Sequence, residues 1–156
     1  MDIITRNELK ERGGIYIEQV LSAFNQYESC TWTFSLDKYT DMFVNLQNHH
    51  ILYVDFYYSK ITEENRVVFE THLNKDKMEL LDQLCAKCRG NGNLEYVIFK
   101  PSREELGLLV EISFRELLFS TFYILDLPLT IWSNYGGEFA GFAKEKELLG
   151  GITCNY

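Results

Sequence analysis

One carboxylate stands out by its position in the sequence. Asp55 lies in the run from Ile51 to Tyr58, in which both alternating sets of side chains are otherwise mostly apolar. A buried ionised carboxylate is unfavourable unless it is paired, so we expect donors among tyrosine hydroxyls, Lys60 and Lys100. Active residues of open α/β sheets gather beyond the carboxyl ends of parallel strands. Asp55 could therefore be the base of a small hydrolase or transferase, although we favour a structural, hydrogen-bonded aspartate.

Two cysteines form a second candidate site. The segment from Cys85 to Gly92 fits C-x-x-C-x-G-x-G and resembles the zinc-binding repeat of J-domain co-chaperones, which implies two thiolates directed at one metal ion. Such a repeat works with a second C-x-x-C, which this chain lacks. Cys85 and Cys88 also fall on an apolar stripe at helical spacing, so we favour buried core thiols, with a zinc-binding domain as the alternative and no cofactor expected. A zinc ion would need further ligands from distant positions: His49, His50, His72, Cys30 or Cys154.

Familiar catalytic motifs are absent from the sequence. It contains no G-x-S-x-G, no G-x-x-x-x-G-K-[ST], no H-E-x-x-H and no G-x-G-x-x-G after a strand. We therefore favour a binding protein over an enzyme.

The last third of the chain combines excess acid with aromatic residues. Between positions 104 and 143, six acidic residues face a single basic one, Arg115. Trp132 and Tyr135 lie beside a glycine turn, and aromatic anchors with polar neighbours are typical of protein-binding surfaces. We expect these carboxylates to form one continuous exposed surface for a basic protein partner. The predicted partner-binding residues are Glu104, Glu105, Glu111, Glu116, Asp126, Tyr135 and Glu138.

The hydrophobic pattern predicts a single α/β domain over residues 1–156, with α+β as a possibility. Two capping boxes, Thr5 to Glu8 and Ser102 to Glu105, mark helix starts. Helices between the first four strands predict a mixed sheet with helices packed on it, and three β-rich runs at the end predict an antiparallel meander. The predicted strands are residues 31–36, 51–58, 94–100, 118–125, 129–134 and 139–143. The predicted helices begin near residues 6, 16, 37, 62, 75 and 103.

Composition excludes several classes of protein. The 156 residues are 46% hydrophobic and 24% charged, which is the composition of a globular protein and not of a disordered one. The longest charge-free apolar run, Leu117 to Leu125, is far shorter than the roughly 20 residues that span a membrane, and the start of the chain lacks a secretory signal. We therefore expect a cytoplasmic protein. With 15 basic and 23 acidic residues, the net charge of −8 argues against nucleic acid as a partner.

Size, acidity and aromatic content together suggest a function. They are similar to those of bacterial immunity proteins, which implies a small inhibitor that neutralises a basic toxin such as a nuclease. A nuclease is positively charged where it holds phosphates, so carboxylates presented there would speed association and block the substrate. The alternatives are the Asp55 enzyme, the zinc-binding domain, and a subunit that buries its aromatic residues in an oligomer; the sequence leaves the oligomeric state open.

Overall fold

The structure, a computed structural model, describes residues 1–153, which form seven strands and seven α-helices. Two short 3₁₀ turns lie at Tyr58–Lys60 and Tyr135–Gly137. The strands are β1 (Ile3–Ile4), β2 (Glu28–Thr33), β3 (Leu52–Phe56), β4 (Val97–Phe99), β5 (Thr121–Ile124), β6 (Leu129–Ser133) and β7 (Glu138–Ala143). The helices are α1 (Arg6–Glu11), α2 (Val20–Gln26), α3 (Leu36–His49), α4 (Glu63–His72), α5 (Lys75–Arg89), α6 (Arg103–Phe114) and α7 (Lys146–Thr153).

All seven strands belong to one open sheet. Their order is β1-β4-β3-β5-β6-β7-β2, and each neighbouring pair is antiparallel. The predicted α/β fold and its C-terminal meander, β5-β6-β7, are confirmed. Because the neighbours of β3 are both antiparallel to it, Asp55 does not lie at a shared carboxyl edge of parallel strands.

The sheet separates two apolar layers. On one side, α3, α5 and α6 pack on the sheet around a large core that includes Phe43, Phe122 and Phe139. The N-terminal segment, with α1 and α2, covers the other side, where Leu9 joins a tyrosine-rich cluster with Tyr53 and Tyr123. Most residues of α6 are buried, so this helix is central to the helical layer.

The helices begin where local signals place them. The Thr5–Glu8 and Ser102–Glu105 capping boxes are both formed, which confirms the predicted starts of α1 and α6. In α5 the apolar stripe faces the core as predicted. That stripe comprises Met78, Leu81, Cys85 and Cys88.

Several boundaries differ from the prediction, and β4 and β5 each begin three residues later than expected. β2 lies three residues earlier than expected, because Ser35 caps α3 by accepting a hydrogen bond from Lys38 N and so ends the extended run. α2 begins at Val20 and not at Tyr16, while β1 and α7 were not predicted. Within residues 1–153, no helix is both long and apolar enough to cross a membrane.

Candidate functional site

Asp55 is held by hydrogen bonds in the interior of the sheet. It is buried on β3, where its Oδ1 accepts a hydrogen bond from Thr121 N at 2.6 Å and its Oδ2 accepts one from the Tyr123 hydroxyl at 3.2 Å. Burial raises the pKa of Asp55 to about 7, although these hydrogen bonds and the charge of Lys60 oppose the rise. Both oxygens are thus engaged by the fold, an arrangement that suits a structural carboxylate better than a general base.

The cysteine pair lies in the core. Cys85 and Cys88 are buried on the inner side of α5, and burial raises the pKa of Cys85 to about 11 and that of Cys88 to about 12. These thiols are protonated at neutral pH and pack as apolar core groups. Within residues 1–153, no three His, Cys, Asp or Glu side chains lie close enough together to hold a metal ion, and Cys154 lies outside the described residues.

We therefore expect zinc removal to have no effect on stability. Incubation of the purified protein with EDTA should leave its melting temperature unchanged, because the cysteines already contribute as apolar core residues. Zinc at one equivalent by elemental analysis, together with a melting temperature lowered by EDTA, would contradict this interpretation.

Two of the predicted partner-binding carboxylates are unavailable to a partner. Glu105 and Glu111 lie on α6 and are buried. Lys87 of α5 donates to Glu105 at 3.0 Å, and Glu111 pairs with both Lys77 of α5 and Arg115. The expected exposure of these two residues was wrong, because α6 is a central helix. Its inner carboxylates pair with cations from neighbouring residues.

The other predicted residues are divided between separate places. Glu104 is exposed in the first turn of α6, whereas Glu116 follows its last turn, about 18 Å away at 1.5 Å per residue. Glu116 accepts a hydrogen bond from Gly136 N at 2.5 Å, beside the exposed Tyr135 and the half-buried Glu138. Asp126 lies beyond the far end of β5 and accepts hydrogen bonds from His50 Nδ1 and Ile51 N. The predicted continuous acidic surface over residues 104–143 is therefore not formed.

A different set of carboxylates meets in a groove between α3, α5 and α6, which we call the acidic groove. It has a volume of about 520 Å³. Asp37, Asp76 and Glu104 are exposed on its walls, and none of them makes an ion pair within residues 1–153. The full lining is Leu36, Asp37, Thr40, Asn74, Asp76, Lys77, Leu80, Glu104, Gly107, Leu108 and Glu111.

The bottom of the acidic groove is apolar and open. Leu36, Leu80 and Leu108 supply aliphatic side chains that also pack against the main core. Gly107 of α6 leaves the space above it empty, since a Cβ built there meets no atom within 4 Å. Glycine inside a helix is unfavourable by about 1 kcal/mol relative to alanine, so this opening lowers the stability of α6.

Sequence reasoning missed Asp37 and Asp76, although a local signal marks both. Each lies in the first turn of a helix, two residues after the N-caps Ser35 and Asn74, where a carboxylate is stabilised by the helix dipole. That signal explains the helix starts but says nothing about which helices lie side by side. The groove is assembled by the packing of α6 against α3 and α5.

No protein-family model, no curated protein and no solved structure matches the chain.

Proposed function

We propose that this chain is a binding protein for a basic protein partner, and that the partner inserts a segment into the acidic groove. The observation that carries the proposal is the combination of three carboxylates, Asp37, Asp76 and Glu104, that make no ion pair within residues 1–153 and lie around an apolar floor. Unpaired charge at the rim of an apolar groove favours a partner of opposite charge, because the charges guide association while the floor supplies contact area.

The shape of the groove favours a protein segment over a metal ion or a small cation. A volume of about 520 Å³ accommodates several side chains, and the aliphatic floor offers nothing to a hydrated ion. We expect the segment to carry lysine or arginine residues flanking an apolar side chain. A basic toxin such as a nuclease could supply such a segment. We propose that the chain functions as an inhibitor of a toxin of this kind.

Enzymatic use of Asp55 has less support. Its two oxygens accept hydrogen bonds from Thr121 and Tyr123, and the aromatic side chains around it form a packed cluster. A general base must reach the proton that it abstracts, and a carboxylate engaged on both oxygens is poorly placed to do so.

Filling the groove should abolish binding without loss of stability. Gly107→Leu replaces a half-buried helix glycine, above which the space is open, with a good helix former, so the free energy of unfolding should rise by up to about 1 kcal/mol. The new side chain enters the space that the partner would occupy. Wild-type and Gly107→Leu proteins used as parallel baits on lysates of the source cells, with captured proteins identified by mass spectrometry, test this.

Two charge variants serve as further baits. The groove variant carries Asp37→Asn, Asp76→Asn and Glu104→Gln. The control variant carries Glu63→Gln, Glu64→Gln and Glu147→Gln, which remove three first-turn carboxylates from α4 and α7 and change the net charge equally. A basic protein retained by the wild type and the control, and lost with Gly107→Leu and the groove variant, is the expected result. Retention by all four baits, or no basic protein on any of them, would contradict the proposal.

A further inference from the structure

A second cavity lies at the opposite end of α6 and shares no lining residue with the acidic groove. It has a volume of about 410 Å³, and we call it the Trp132 cavity. Three half-buried aromatic residues, Tyr57, Phe119 and Trp132, contribute to its walls. The remaining lining residues are Lys60, Glu116, Leu117, Leu118, Ser120 and Thr121.

The cavity contains a cation, Lys60, that makes no ion pair within the described residues. Lys60 is exposed, and its Nζ lies 4.7 Å from the centre of the Tyr57 ring. An ammonium group placed over an aromatic ring at a cavity wall is a suitable counter-charge for an anionic ligand group.

The acidic residue of the cavity is engaged elsewhere. Glu116 directs its carboxylate at Gly136 N, and its backbone adopts a left-handed conformation with φ of 60°. This conformation is unfavourable for a residue with a Cβ, and glycine is usual at such a helix end. Residues kept in sparsely populated conformations cluster at ligand sites, where the surrounding structure holds them in place.

Buried polar groups support the cavity from behind. Thr121 lines the cavity and donates its backbone N–H to Asp55. Tyr57 directly follows β3, the strand that carries Asp55. On the outer side, Phe119 contacts Tyr135 edge to face, with ring centres 4.9 Å apart. Tyr57 stacks on Tyr96 with ring centres 4.7 Å apart, so Tyr57 and Phe119 are both held in place by ring contacts.

We propose that the Trp132 cavity binds a small planar aromatic molecule that carries an anionic group, with the ring against Trp132 and the anion beside Lys60. Flat aromatic faces favour a flat ligand, since stacked and edge-to-face ring pairs are both favourable. The unpaired ammonium selects an anion over a cation, because a ligand cation would meet Lys60 at the Tyr57 face. This site is independent of the acidic groove.

The probe is 2-naphthoate, compared with 2-naphthamide as its neutral analogue and 2-naphthylmethylammonium as its cationic one. The chain has two tryptophans, so two-dimensional ¹H–¹⁵N spectra of the whole protein should show two indole N–H signals. The signal of half-buried Trp132 reports binding, and that of buried Trp32 is the internal reference. We expect 2-naphthoate to shift the Trp132 signal saturably and both analogues to bind at least tenfold more weakly.

Matched lysine variants identify the contact. Lys60→Met should weaken 2-naphthoate binding at least tenfold. Lys38→Met should leave it unchanged, although Lys38 also lies over an aromatic ring, 4.3 Å from the centre of Phe34, outside the cavity. Absence of a saturable Trp132 shift, equal affinity for the three probes, preference for the cation, or unchanged binding by Lys60→Met would each overturn the proposal.

Discussion

Asp55→Asn is expected to remove a large part of the pH dependence of stability between pH 5 and 7. The ordinary pKa of this carboxyl is 3.8, and burial raises it to about 7 in the folded chain. The folded state therefore binds the proton more tightly than the unfolded state does. The contribution of Asp55 to the free energy of unfolding is greatest below pH 4 and is lost as the pH rises towards 7. The total change is about 4 kcal/mol.

Asparagine stays neutral at every pH in this range and can still accept from Thr121 N. The free energy of unfolding of the wild type minus that of Asp55→Asn should fall by about 2 kcal/mol between pH 5 and 7, most steeply at the lower end of this range. Urea unfolding of both proteins at pH 5, 6, 7 and 8 measures this difference, and groups that titrate alike in both cancel.

Asp82→Asn provides the control, because the hydrogen bond from Arg66 lowers the pKa of Asp82. The stabilising contribution of Asp82 is present above its ordinary pKa and is lost only as the pH falls below that value. The free energy of unfolding of the wild type minus that of Asp82→Asn should therefore stay constant between pH 5 and 7. An equally constant difference for Asp55→Asn would show that Asp55 is ionised throughout and would contradict the account of its burial.

Gly141→Ala is expected to destabilise the chain by about 3 kcal/mol or to prevent folding. Gly141 lies on β7 opposite Cys30 of β2, and a Cβ at this position would come 2.3 Å from Cη2 and 2.8 Å from Cζ3 of Trp32. The indole is buried, and the same Cβ would also lie 3.0 Å from Leu149 Cδ2 of α7, so relieving the clash requires buried side chains to move.

Thermal and urea unfolding of Gly141→Ala measure the loss, with Gly107→Ala as a control that should be neutral or stabilising. If Gly141→Ala does not fold, the double variant Gly141→Ala with Trp32→Leu should recover folding, because the smaller side chain removes the clash. Wild-type stability of Gly141→Ala would mean that Trp32 does not lie over β7 as described.

Local signals in the sequence were sufficient for most of the fold. Capping boxes place the starts of α1 and α6, and the apolar stripe orients α5, because each depends on residues three or four positions apart. β1 has two residues and no periodicity to detect. Ser35 lies both in the run 31–36 that predicts a strand and at a possible N-cap position. The structure uses it as the N-cap of α3, and the sequence alone does not decide between these two signals.

The candidate sites depend on contacts that no local signal specifies. The sequence marks Asp55 as a carboxylate in need of donors, but its donors come from Thr121 and Tyr123, more than 60 positions away. The charge balance along the chain predicts an acidic surface over one contiguous segment. That prediction included Glu105 and Glu111, which the packing of α6 buries. The acidic groove instead takes one exposed carboxylate from each of three helices.

The salt dependence of association tests the central claim, that the acidic groove binds a basic partner, most directly. The association rate of the captured partner is measured with the wild type, the groove variant and the control variant between about 50 and 200 mM salt, a range over which screening of exposed charges increases strongly. We expect the wild type and the control to lose at least tenfold in rate over this range, and the groove variant to be slow and nearly insensitive to salt. Equal rates and equal salt dependence for the groove variant and the control would contradict the account.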